Sequence, residues 1–122
     1  MRILLTGASS FTGLWFAETL AQAGHSVTTP LPRAESTYEG IRAERVARLK
    51  KVATVLECRP FGSDAFLEVA AKGTWDRFCH HAAQVGDYRS PDFPVAAALD
   101  ANTLNLHRLL PILKSKGLSG VI

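Results

Sequence analysis

With 122 residues, 47% of them hydrophobic, the chain has enough apolar material for one compact domain with a real core. Fourteen basic residues against eleven acidic give a net charge of +3, too mild to argue for nucleic acid. The one basic stretch, Ala43 to Lys51, spaces Arg45, Arg48, Lys50 and Lys51 as a solvated helix face without aromatic interleaving, and no segment reaches membrane-spanning length.

In chain order, the apolar run Arg2-Ile3-Leu4-Leu5 reads as a first strand, followed by an amphipathic helix from Gly13 to Ala23. Arg2 and the residues up to Ala21-Gln22-Ala23 imitate a secretory signal. Thr6 to Thr12 breaks the apolar core and Glu18 follows, so a soluble, cytoplasmic protein is the expectation. Gly24-His25 suits a helix C-terminus before a second strand at Ser26 to Pro30. A turn bracketed by Pro30 and Pro32 leads to a helix over Ser36 to Lys51, and Val52 to Leu56 is rich enough in β-branched residues for a third strand. Gly62-Ser63-Asp64 introduces a helix with Phe66, Leu67, Val69 and Ala70 on one face, and Asp76 to His80 makes a fourth strand. After a loop with Gly86, Pro91 and Pro94 comes a long helix from Val95 to Lys116, with a kink expected at Pro111. Gly117 ends it, and Gly120-Val121-Ile122 begins a fifth strand. Strands alternating with helices call for an α/β fold, a doubly wound parallel sheet with helices on both faces. Cys58 and Cys79 fall on expected core strands without metal-ligand spacing and read as buried thiols in a reducing compartment.

Between the first strand and first helix stands Thr6-Gly7-Ala8-Ser9-Ser10-Phe11-Thr12-Gly13. A strand that ends in glycines and opens into a helix suits a phosphate: the backbone can approach closely, and first-turn N–H groups have no intrahelical partner. The spacing is not G-x-G-x-x-G from Gly7, because Ser9 and Thr12 occupy those positions. Nor is it Walker A, since Gly7 to Gly13 is one residue too long and Leu14 replaces the lysine. It fits T-G-x-x-G-x-x-G with Ser10 in place of the middle glycine. That hydroxyl either donates to a phosphate or, through its Cβ, holds the ligand away.

This loop resembles that of the extended short-chain dehydrogenase/reductase family, the NAD-dependent epimerases and dehydratases. Two further motifs support the resemblance. Asp76, His80, Ala82 and Ala83 match the family's Asp-x-x-x-His-x-Ala-Ala strand, and Asn102-Thr103-Leu104-Asn105-Leu106 resembles its later asparagine motif. The resemblance implies a Rossmann-like fold and a dinucleotide cofactor, with Gly7, Ser9, Ser10, Phe11, Thr12 and Gly13 as its cradle. It places His80, Ala82 and Ala83 beside the cofactor and gives Asn102 a supporting role in the active site.

Cofactor choice depends on the end of the second strand, where a carboxylate would favour NAD. Leu31, Pro32 and Arg33 stand there instead, and Cys58-Arg59 replace the family's usual aspartate after the third strand. Arg33 and Arg59 therefore lean the expectation towards NADP over NAD, although Arg33 also fits as a solvated turn residue. Adjacent His80 and His81 point to opposite strand faces and do not suggest a metal site. Tyr88 suits either a pocket wall or a core cap. Neither Tyr38 nor Tyr88 has a lysine four residues on, so the family's Tyr-x-x-x-Lys acid/base pair is not here. The expectation is the N-terminal cofactor-binding part of a longer enzyme, truncated at the fifth strand. Sugar nucleotide is the family's commonest substrate, and family members often form homodimers through long helices. A non-catalytic NAD(P)-sensing domain is the alternative reading.

Overall fold

A computed structural model describes the whole chain, residues 1–122. Its centre is a parallel sheet of five strands: β1 (Arg2–Thr6), β2 (Ser26–Pro30), β3 (Thr54–Leu56), β4 (Arg77–His80) and β5 (Gly120–Val121). They lie in the order β3-β2-β1-β4-β5, so β1 is central and the chain crosses the sheet between β3 and β4. Five helices connect them: α1 (Phe11–Gln22), α2 (Gly40–Val52), α3 (Asp64–Lys72), α4 (Val95–Thr103) and α5 (Leu106–Ser115). The expected doubly wound α/β architecture is what the chain adopts.

Alternate residues of β1 face opposite sides, and both sides are apolar. Leu4 packs with Phe66, Leu67 and Ala70 of α3, Leu109 and Leu113 of α5, and Phe78 of β4. Leu5 packs on the other face with Leu14 and Ala17 of α1, Leu49 of α2 and Val27 of β2. Phe66 and Phe78 are fully buried, each removal from water contributing about 2–3 kcal/mol. The aligned register Leu4–Phe78, Leu5–Cys79 and Thr6–His80 brings the carboxyl ends of β1 and β4 side by side. At the opposite end, Asp76 accepts from the Arg2 backbone N–H (2.6 Å) and guanidinium (2.9 Å to Nη2). Hydrogen bonding to Arg2 pulls the Asp76 carboxyl down to about 2.

Four sequence expectations need correction. The helix expected from Ser36 is a short 3-10 turn, Glu35–Thr37, followed by α2 from Gly40. Tyr38 is extended between them, its ring buried against Leu31 and Val46, so core packing straightens the chain there. The long helix expected over Val95–Lys116 is two helices. The break falls at Leu104–Asn105, where Asn105 is left-handed (φ 55) and donates through Nδ2 to the Gly62 carbonyl at 2.8 Å. Pro111, where a kink was expected, lies within α5. Cys58 is not a buried strand residue: it is exposed just beyond β3 with φ 54, while Cys79 is half-buried on β4. Finally, α1 starts two residues earlier than expected, because Ser10 caps it.

Candidate functional site

The glycine loop closes over the end of β1 through backbone contacts that exclude any side chain. Gly7 has φ +76, and a Cβ there would stand 2.7 Å from the Ala82 backbone nitrogen. A Cβ on Gly13 would stand only 2.2 Å from the Gly7 carbonyl oxygen, so the first turn of α1 rests directly on the loop. The Ser10 backbone N–H donates to the Gly7 carbonyl (3.0 Å), and the Ser10 hydroxyl oxygen accepts from the Gly13 N–H (3.0 Å). Ser10 is thus the N-cap of α1, a role that a serine fills well and that occupies one lone pair of its oxygen. The Phe11 and Thr12 N–H groups have no acceptor in the protein. They open at the positive end of a helix of 12 residues, where an anion is favoured.

A cleft runs over this loop in two lobes that share Gly7, Ser9 and Ala82. The larger, about 520 Å³, is walled by Ser10, Phe11 and Thr12 on one side and His81, Ala83 and Val85 on the other, with Arg42 of α2 reaching in. The smaller, about 150 Å³, extends to Pro30 and Pro32 after β2 and to Arg59 and Phe61 after β3. No carboxylate lines either lobe.

Beneath the cleft, Thr6 and His80 fasten the loop after β4. Thr6 is buried, and its hydroxyl oxygen accepts from the Ala82 N–H at 3.1 Å. It also meets His80 Nδ1 at 2.9 Å, while His80 Nε2 lies 3.0 Å from the Asn102 carbonyl. A carbonyl only accepts, so Nε2 carries the proton and the Thr6 hydroxyl donates to Nδ1. Phe61 stacks on the same imidazole with ring centres 4.0 Å apart. The Asn102 side chain continues the chain of contacts: Oδ1 accepts from the Gln84 N–H at 2.6 Å.

The residues singled out in the sequence therefore divide. Gly7, Ser9, Ser10, Phe11, Thr12, Ala82, Ala83 and Arg59 line the cleft, with Gly13 packed under its floor. His80 lies below it with both ring nitrogens engaged inside the protein, and Asn102 holds the wall at Gln84. Arg33 lines neither lobe; its guanidinium sits 4.6 Å over the Tyr38 ring. Tyr88 is 64% exposed and neither caps the core nor enters the cleft. Arg42, His81 and Val85 were missed. Arg42 fell within the expected helix, but its place over the loop depends on packing between α2 and the connection from β1 to β2, which no local pattern shows.

No protein-family model matches the chain, and no curated protein matches its sequence. Solved structures match its fold. The UDP-glucuronic acid 4-epimerase from Bacillus cereus, complexed with NAD and a fluorinated UDP-glucuronic acid, superposes with a TM-score of 0.72 at 20% identity. That match covers 99% of this chain and 38% of the epimerase. The UDP-glucose 4-epimerase of Thermotoga maritima gives 0.72 at 21% identity, over 99% of this chain and 36% of that one. A short-chain dehydrogenase from Streptomyces avermitilis gives 0.68 at 23% identity, over 98% and 47%. The chain thus spans less than half the length of these structures. It shares the Rossmann-like fold of these structures over that part of their length.

Proposed function

We propose that the chain binds an NAD(P) dinucleotide, and that it is the cofactor-binding part of an oxidoreductase, epimerase or dehydratase of the extended short-chain type. One observation carries the reading: the free Phe11 and Thr12 N–H groups open into an acid-free cleft at a helix N-terminus. The pyrophosphate rests there, with Ser9 and Ser10 beneath it and Ala82 and Ala83 opposite. The adenosine extends towards Pro30 and Arg59, where the missing carboxylate favours NADP over NAD. His80 and Asn102 shape the wall rather than touch the cofactor.

The solved epimerases hold UDP-sugar ligands, which supports a sugar nucleotide as the substrate of the whole protein. A homodimer finds support in α4, whose Val95 and Leu99 are 67% and 61% exposed. No helix is long and apolar enough to cross a membrane, and the exposed Cys58 thiol suits the reducing cytoplasm. Thermal unfolding of the 122-residue chain with NADPH and with NADH tests the binding. A ligand at about a hundred times its dissociation constant adds about 2.7 kcal/mol, which raises Tm by several degrees. No shift with either cofactor at millimolar concentration sinks the proposal.

A further inference from the structure

We propose that Arg59 reads the base of the bound nucleotide, so that the smaller lobe prefers a 6-oxopurine such as hypoxanthine over adenine. This rests on the dinucleotide reading above and concerns only what fills the lobe after β2 and β3. The walls there are apolar, with Pro30 and Pro32 on one side and Phe61 and Phe66 on the other. Such walls suit a flat aromatic ring, and the few polar groups among them decide which ring. Three polar side chains border the lobe. The Thr6 hydroxyl is buried and already engaged by His80 and the Ala82 N–H. Ser9 stands at the end shared with the larger lobe, where the pyrophosphate rests. Arg59 alone is left to face the base.

Arg59 is half-buried and anchored by the protein. Its backbone N–H donates to the Leu31 carbonyl at 2.7 Å, and its Nη1 donates to the Cys58 carbonyl at 3.1 Å. Nε and Nη2 make no bond within the protein, and together they form one donating edge of the guanidinium. Arg59 also borders a second groove with Glu68, but that carboxylate lies 3.4 Å from Lys72 and makes no bond to Arg59. A 6-oxopurine presents O6 and N7, two adjacent acceptors that match a two-donor edge. Adenine presents N7 beside an N6 amino group, which sets donor against donor. No carboxylate or amide side chain lines the lobe to accept from that amine. The guanidinium therefore makes two bonds to the first base and one to the second.

Calorimetric titration of the 122-residue chain with NADH, NADPH and the hypoxanthine counterpart of each tests this. Each pair of ligands differs only in the purine, amino against oxo at its 6-position. The wild type should bind the hypoxanthine form about tenfold more tightly. Arg59→Gln should erase or reverse that preference, because a glutamine amide pairs with adenine N6 and N7 together. Arg59→Lys keeps the charge but loses the planar fork, and should reduce the preference to under about threefold. The assignment is overturned if the wild type binds the adenine form as tightly or more tightly, a result that needs no variant. It is equally overturned if Arg59→Gln or Arg59→Lys keeps the full wild-type preference. In each of these cases the dinucleotide reading survives. A wild type that binds none of the four ligands removes that reading, and this assignment with it.

Discussion

The connection from β1 to β2 and the connection from β4 to β5 meet along the same pair of central strands, yet they are held in different ways. In the first, backbone presses on backbone: Gly13 lies against the Gly7 carbonyl, and Gly7 against Ala82. In the second, the loop after β4 is exposed from Ala83 to Arg89, and α4 buries only Ala98. Side-chain hydrogen bonds from Thr6, His80 and Asn102 do the fastening there. The rigid side offers fixed N–H groups to a ligand, and the looser side supplies a wall that can adapt to it. Gly13→Ala breaks this contrast most directly. The atoms nearest a new Cβ are all backbone, so no flexible side chain can yield. Chemical denaturation should show a loss of more than about 3 kcal/mol, since overpacking against backbone forces the helix off its strand. A loss under about 1 kcal/mol would show that the crossing is not tight.

The second connection depends on one asparagine more than on its proline. Asn105 accepts the left-handed conformation that ends α4, and its Nδ2 ties the break to the Gly62 carbonyl. Asn105→Ala loses that bond and puts an alanine at φ 55, which together should cost about 2 kcal/mol. Pro111→Ala restores an N–H facing the His107 carbonyl but leaves the break in place. Its stability should change by less than about 1 kcal/mol, the gained bond offset by a freer unfolded chain. Paired thermal melts decide the matter. If Pro111→Ala shifts Tm more than Asn105→Ala, the break belongs to the proline.

These two connections also explain what could be read from the residues alone. The glycine loop was legible because its constraint is local: Gly7 and Gly13, where a Cβ would run into backbone, lie six positions apart. Alternating strands and helices gave the sheet for a similar reason, each element showing its own period. The break at Asn105 was not legible, because its partner Gly62 is 43 positions away and no pattern near Asn105 announces it. A proline's local effect is visible in the sequence, as at Pro111 within α5, and a tertiary hydrogen bond is not. Tyr38 misled in the same way: the burial of its ring interrupts a run that is helical by composition. At the site, the loop residues and Arg59 line the cleft as the sequence suggested, whereas Arg42 was not singled out. Arg42 lies in the first turn of α2 and lines the larger lobe.

The smallest expected effect lies at the other end of the strand pair, where Arg2 and Asp76 join the two connections away from the cleft. The Asp76 carboxylate takes bonds from the Arg2 backbone and side chain and titrates near 2. An unfolded aspartate titrates near about 4, so the folded state holds its proton less tightly. The stabilisation is therefore complete above about pH 4 and disappears as pH falls through the folded value near 2. Asp76→Asn should lower Tm modestly at neutral pH, because an exposed pair is screened by solvent. The gap between wild type and variant should stay constant from pH 7 to about 5 and close progressively below about 4. A gap that persisted to pH 2 would mean that the geometry of the side chain, rather than its charge, joins β4 to β1.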